Sequence, residues 1–255
     1  MPSPLNRRRI QRFTVADAEA KVGKTFTIIL GLHAAASFLL AFWYGTFAEA
    51  MLIGLPAWLV PAFLIKNSPN ATVTKASVGA ALMIYSGLYI HQARGMTELH
   101  FHVFGSMAFL LAYRDWRVVL AAAVTIAVHH VSFAWLSYAG APVFIYSTKA
   151  SYLLLTIVHA LFVVFEAAVL IMMSVSGRKE WVYAEDMGRI GAALRGMSSE
   201  KLDKHMPQSD DKVLDYVLNH LIDRLNNNLT LGDQVRSGGV AIEESASVLL
   251  TNVAT

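Results

Sequence analysis

Between residues 25 and 176 the chain carries only six Lys or Arg and four Asp or Glu, while the other fifteen basic and fourteen acidic residues sit in its two ends. A stretch so long and so poor in charge has no way to present a solvated face, and the hydrocarbon of a bilayer is the solvent that suits it. Within it, apolar runs at 25–44, 47–65, 76–92, 97–112, 117–138 and 146–173 are separated by polar or charged breaks. At 1.5 Å per residue most of these cross a hydrocarbon core of about 30 Å. The expected fold is therefore all-α. A basic cytoplasmic segment, 1–24, leads into a six-span transmembrane helical bundle, 25–176, and a helical cytoplasmic tail follows over 177–255. The chain contains no cysteine, which excludes disulfide frameworks, thiolate metal sites and thiol catalysis.

The run 97–112 is the shortest of the six, with Glu98, His100 and His102 in its opening turns. The distribution of positive charge argues for keeping it. With six spans and a cytoplasmic N-terminus, Arg7, Arg8, Arg9, Arg12, Lys21, Lys24, Lys66, Lys75, Arg114, Arg117, Arg178 and Lys179 share one side, and only Arg94 and Lys149 reach the other. Both termini are then cytoplasmic. The Arg7–Arg9 run, set before a span, reads as an anchor to anionic lipid headgroups and not as a nucleic-acid patch. Trp58, Tyr113 and Trp116 fit the aromatic belts of the interfaces.

Seven of the nine histidines lie inside the apolar block: His33, His91, His100, His102, His129, His130 and His159. Ionisable groups are costly in hydrocarbon and turn inward toward partners. His33, His129, His130 and His159 fall near the middle of spans one, five and six, while His91 closes span three and His100 and His102 open span four. A shared site in the outer half of the membrane is the expectation. Its metal ligands would come from His33, His91, Glu98, His100, His102, His129, His130 and His159. Glu98 and His102 share a helix face, whereas His100 lies about 200 degrees from His102, so a regular helix does not offer both to one centre. Glu166, seven residues after His159, is placed as a counter-charge or proton relay. Neutral imidazole suits iron, copper and zinc, and sequence spacing does not choose among them. Haem b held between facing imidazoles is the alternative, with His33, His91, His129 and His159 as candidate cofactor-binding residues. Ser37, Thr125 and Ser132 are candidate hydrogen-bond partners of the imidazoles.

Beyond Arg178 the composition becomes that of a water-exposed helix. Met187, Ile190, Leu194 and Met197 continue the last span outward. Pro207 interrupts, and Ser209 is placed to cap a second helix whose Leu214, Val217, Leu218, Leu221 and Leu225 form one apolar stripe. Leu231-Gly232 and Gly238-Gly239 mark breaks before a third stretch. This tail is expected to pack, dimerise and transmit, and it is too short for a globular catalytic domain.

Glu98-Leu99-His100-Phe101-His102, then Tyr113-Arg114-Asp115-Trp116-Arg117, then Ala127-Val128-His129-His130, resemble in that order the histidine-rich membrane sensory module of bacterial methyl-accepting chemotaxis proteins and related signalling proteins. His159–Glu166 fits the last span of that module, and the resemblance covers about residues 20–180. It implies a receptor in the bacterial inner membrane, a homodimer contacting lipid and possible cytoplasmic signalling proteins, with His100, His102, His129, His130 and His159 as its characteristic histidines. A metal-dependent membrane redox enzyme and a metal or proton transporter are the alternatives.

Overall fold

A computed structural model describes residues 13–147, 152–195 and 212–253, and all regular structure among them is helical. The order is α1 (Val15–Tyr44), α2 (Phe47–Glu49), a π turn (Ala50–Gly54), α3 (Leu55–Asn67), α4 (Thr72–Gln92), a 3-10 turn (Thr97–His100), α5 (Phe101–Phe109), a second 3-10 turn (Leu110–Tyr113), α6 (Trp116–Tyr138), α7 (Tyr152–Arg195) and α8 (Lys212–Val253). Among the described residues five stretches are long and apolar enough to cross a membrane: Val15–Tyr44, Phe47–Asn67, Thr72–Gln92, Trp116–Tyr138 and Leu153–Arg189. The chain is an all-α, multi-span membrane protein. The Arg7–Arg9 run, Lys149, Met197, Pro207 and Ser209 lie outside the described residues.

Residues 97–113 depart from the expected sixth long span. Two 3-10 turns flank the nine residues of α5, so no single long helix forms there. The polar groups of Glu98, His100 and His102 occupy the turns that an apolar helix would fill. At the far end Arg114 adopts a left-handed φ of 50°, which turns the chain sharply into the Asp115 cap of α6.

Two sets of contacts define the two ends of the membrane unit. At one end Lys75 meets both Glu19 and Asp115, and Arg178 also reaches Glu19. At the other, Gln92 bonds to Thr46 and the backbone N–H of Phe144 donates to His91. Residues 97–113 return the chain from the His91 end to the Lys75 end.

Local chemistry accounts for the starts and irregularities. Thr14 caps α1 by accepting the Asp17 N–H at 3.0 Å, so this helix begins ten residues before the apolar run. Pro56 has no N–H to donate, and the turn just before it opens into a π conformation whose Gly54 carbonyl accepts from Tyr85 at 2.6 Å. The centre of the bundle is α4, the least apolar of the spanning helices and the most buried. Its small residues permit that. A Cβ at Gly79 would stand 2.5 Å from the Val118 carbonyl oxygen, so α4 and α6 approach almost backbone to backbone. Conversely α7 is the most apolar and the least buried.

The chain divides into two compact units, Phe13–Tyr183 and one that includes Ala184–Thr255. In the second, α8 is one helix through Gly232, Gly238 and Gly239, not the two separated stretches that the glycines suggested. Each interior glycine costs about 1 kcal/mol against alanine, and without a proline nothing forces a break.

Candidate functional site: two imidazole clusters in the membrane unit

The seven membrane-block histidines do not meet at one centre. His33 of α1 and His102 of α5 form the first cluster, with Nε2 atoms 3.0 Å apart. His33 Nδ1 donates to the Ile29 carbonyl at 2.7 Å, which leaves its Nε2 as the acceptor of a proton carried by His102 Nε2. His102 Nδ1 then lies 2.8 Å from the Ser86 hydroxyl and 3.3 Å from that of Ser106. Tyr89 stacks on His33 with ring centroids 6.1 Å apart and donates to the His33 carbonyl at 2.8 Å. Every imidazole nitrogen here has a partner, so the pair is a closed polar plug between α1, α4 and α5.

His100, His129, His130 and His159 form the second cluster. Ring centroids are 5.0 Å apart for His100–His159, 5.6 Å for His100–His130 and 5.9 Å for His130–His159. Tyr146 stacks on His100 at 5.8 Å, from a loop seated against Gly95. Gly95 has φ 79°, and a Cβ there would stand 2.5 Å from the Tyr146 carbonyl carbon, so no other residue admits this approach. His129 fits because Gly87 faces it, where a Cβ would come within 2.7 Å of the ring.

One local rule orients most of these rings. His100, His130 and His159 each direct Nδ1 to the carbonyl four residues earlier, at Met96 (3.2 Å), Ile126 (3.1 Å) and Leu155 (2.8 Å). A carbonyl accepts only, so Nδ1 carries the proton and Nε2 of the neutral ring carries a lone pair. The Nε2 atoms of His100 and His129 are buried without a hydrogen-bond partner among the described residues.

The remaining expected ligands stand apart. His91 accepts from Phe144 at 3.2 Å and steadies the loop. Glu98 is exposed. Glu166 is half-buried two turns beyond His159, and its Oε2 has no hydrogen-bond partner. Ser37, Thr125 and Ser132 bond to Gln92 and to the carbonyls of Ala121 and Val128, not to imidazole. Tyr113 is buried against Phe26 at 5.2 Å instead of joining an interfacial belt.

The expected metal centre and the alternative of haem b are therefore corrected. Among the described residues no group of three or more His, Cys, Asp or Glu side chains is arranged to hold a metal ion. The facing pair His33–His102 is already in direct nitrogen-to-nitrogen contact at 3.0 Å. That gap is too small for an iron with bonds of about 2 Å on each side.

Sequence reading missed an ion network at the Lys75 end. Lys75 Nζ lies 2.8 Å from Glu19 Oε1 and 2.7 Å from Asp115 Oδ2, and Arg178 reaches the same Glu19 oxygen at 2.5 Å. Burial alone would raise the Asp115 carboxyl. The hydrogen bond and charge of Lys75, with the backbone N–H and guanidinium of Arg117, outweigh it and hold that group below its ordinary value. Nearby, Arg114 donates to the Gly177 carbonyl at 2.9 Å and to Glu180 at 2.7 Å, with its guanidinium 5.1 Å from the Trp181 ring centre. These contacts tie α7 to the bundle beside Glu19. No protein-family model matches the chain, and no curated protein or solved structure matches it either.

Proposed function

We propose that the chain is a membrane signal receptor of the kind its HFH, YRDW and HH segments resemble, working without the metal or haem first expected, and that α7 carries the signal. The continuity of α7 is the observation that supports this reading. Its 44 residues run without a break from Tyr152 through His159 to Arg195. At 1.5 Å per residue that is about 66 Å, roughly twice the thickness of a hydrocarbon core. A displacement at His159 has a rigid path out of the membrane. Signalling then requires an input that favours one of two arrangements of the outer helices.

In this reading residues 97–113 make a sixth, shorter crossing. That places both termini in the cytoplasm of a bacterial cell, with the Lys75 network at the inner face. The receptor is a homodimer surrounded by lipid, and cytoplasmic signalling proteins are its outputs. Leu231, Val235 and Ile242 are exposed on α8 at spacings of four and seven, the seam of a two-helix contact. Gly238 occupies the intervening seam position.

The chain has no native cysteine, so single thiols report cleanly. Val235→Cys in the full chain in native membranes should cross-link to a second copy, and His159→Phe should change its rate at least threefold, whereas Glu98→Ala should not. Equal rates in all three backgrounds would remove the relay, and no cross-linking at Val235 or Ile242 would remove the dimer.

A further inference from the structure

Between α6 and α7 runs an apolar groove of about 420 Å³, within the range of small-molecule sites. Leu120, Ala123 and Val131 line one wall, and Ala160, Val163 and Ile171 line the other. His130 and His159 supply its polar floor. From His159 to Ile171 is twelve residues of helix, about 18 Å, so the groove is elongated, with its imidazoles near one end. On the other side of His159 a smaller recess of about 230 Å³ is lined by His100, Thr97 and Phe104. His100 is only 5% exposed and its Nε2 has no partner.

We propose that this groove binds an isoprenoid-type quinol, its dihydroxy ring against His130 and His159 and its apolar tail along α6 and α7 toward Ile171. The choice follows from the hydrogen-bond polarity of the floor. The Nδ1 protons of His130 and His159 are already donated to Ile126 and Leu155. What these rings offer a ligand is the Nε2 lone pair; His100 lines the separate recess beyond His159 and not the groove itself. Thr156, which also lines the groove, is bonded to Tyr146 at 3.0 Å. A floor of acceptors under an apolar wall selects a molecule that partitions into membrane and brings O–H donors on a flat head. A quinol does so. The corresponding quinone offers only carbonyl acceptors, which would face lone pairs without a proton between them. The site distinguishes the two oxidation states by binding alone, and no electron passes to the protein. This deepens the receptor reading and rests on it for its consequence, because the ligand would bear on α7 at His159.

The test is calorimetric binding of a short-tailed benzoquinol, kept reduced, and of its benzoquinone to the full chain in lipid nanodiscs. Saturable quinol binding, about tenfold or more tighter than the quinone, is expected from one buried acceptor left unpaired. Ala160→Phe fills the groove without removing a polar group and should abolish binding. His159→Phe should weaken it about tenfold or more, and Leu161→Phe, on the exposed face of the same turn, should leave it unchanged. Equal affinity for both oxidation states would overturn the acceptor floor, and wild-type affinity in Ala160→Phe would overturn the location. Absence of saturable binding, as when phospholipid tails fill the groove, would overturn the proposal outright. The cross-linking of Val235→Cys is measured without added quinol, so the relay stands or falls separately.

Discussion

Lys75→Met removes one charge from a nearly water-free network while keeping the length of the side chain. Lys75, Glu19 and Asp115 have side chains 5%, 5% and 9% exposed, and the Lys75 ammonium bridges the two carboxylates at 2.8 and 2.7 Å. Removing one member of a buried ion pair costs about 3–5 kcal/mol, because the charge left behind is neither solvated nor paired. Glu19 retains Arg178, itself 42% exposed, and Asp115 retains the Arg117 backbone N–H at 3.1 Å, so the lower end applies. A loss of about 3 kcal/mol lowers the melting temperature of a domain this size by about 6–12 °C. Thermal unfolding of the detergent-solubilised protein, followed by circular dichroism, reads this directly. The triple variant Glu19→Gln, Lys75→Met, Asp115→Asn removes the charges together and should recover most of the loss, since desolvation and attraction then vanish together. A single variant that melts within about 1 °C of wild type, or a triple variant less stable than the single, would refute the assignment of this network as a buried electrostatic clamp.

Three further outcomes follow from the structure. Gly79→Ala forces a Cβ to 2.5 Å from the Val118 carbonyl, backbone that has nowhere to move, and should destabilise by about 1–3 kcal/mol. Gly105→Ala meets nothing within 4 Å and should stabilise by about 0.5–1 kcal/mol, the usual helical preference; the same melting assay checks both, and a similar sign in the two would be the adverse result. The folded state holds Asp115 below its ordinary value of 3.8, so its contribution is complete above that value and is lost as pH falls through the lowered one. Wild type should therefore lose more stability than Asp115→Asn as pH falls below about 4, and parallel melting curves for the two would contradict this.

The apolar runs marked the long helices because a bilayer-facing helix needs only length and absence of charge, both of which a sequence displays. Residues 97–113 carry Glu98, His100 and His102 where a spanning helix would need apolar groups, and the first 3-10 turn falls at Thr97–His100; the second, Leu110–Tyr113, is apolar and had no such signal. The angular separation of His100 and His102 was legible too, and the structure sends them to different clusters. Other features could not be read from spacing. Glu19 sits in a basic segment and reads as a solvated charge until α4 brings Lys75 against it. The unbroken course of α8 was hidden by three glycines whose cost the rest of a long helix absorbs. Above all, histidine count suggested one centre, whereas the fold parts the rings into two clusters, and a histidine in a helix also finds a carbonyl one turn back for its Nδ1. Four of the membrane-block histidines take that bond.

That local bond also separates what is fixed in this bundle from what is free to respond. The His33–His102 plug is saturated and lies against α4, the most buried spanning helix, so a disturbance there is paid in broken packing. His159 instead sits on the least buried helix, between the two recesses, beside the unpartnered Nε2 of His100. Below it, Ala167 and Leu170 are the buried apolar residues of α7 among those described, and the next polar ties are Gly177, Arg178 and Glu180 at the Lys75 end. From His159 to Arg178 is nineteen residues, about 28 Å of helix with few lateral contacts. An α-helix over that distance resists bending more than weak side contacts resist sliding. On the receptor reading proposed above, a group that enters or leaves at His159 would be met by rotation or translation of α7, resisted chiefly by the Arg178–Glu19 and Arg114–Glu180 ties. On that same reading, the clamp around Glu19 is also what would set the force needed to move α7.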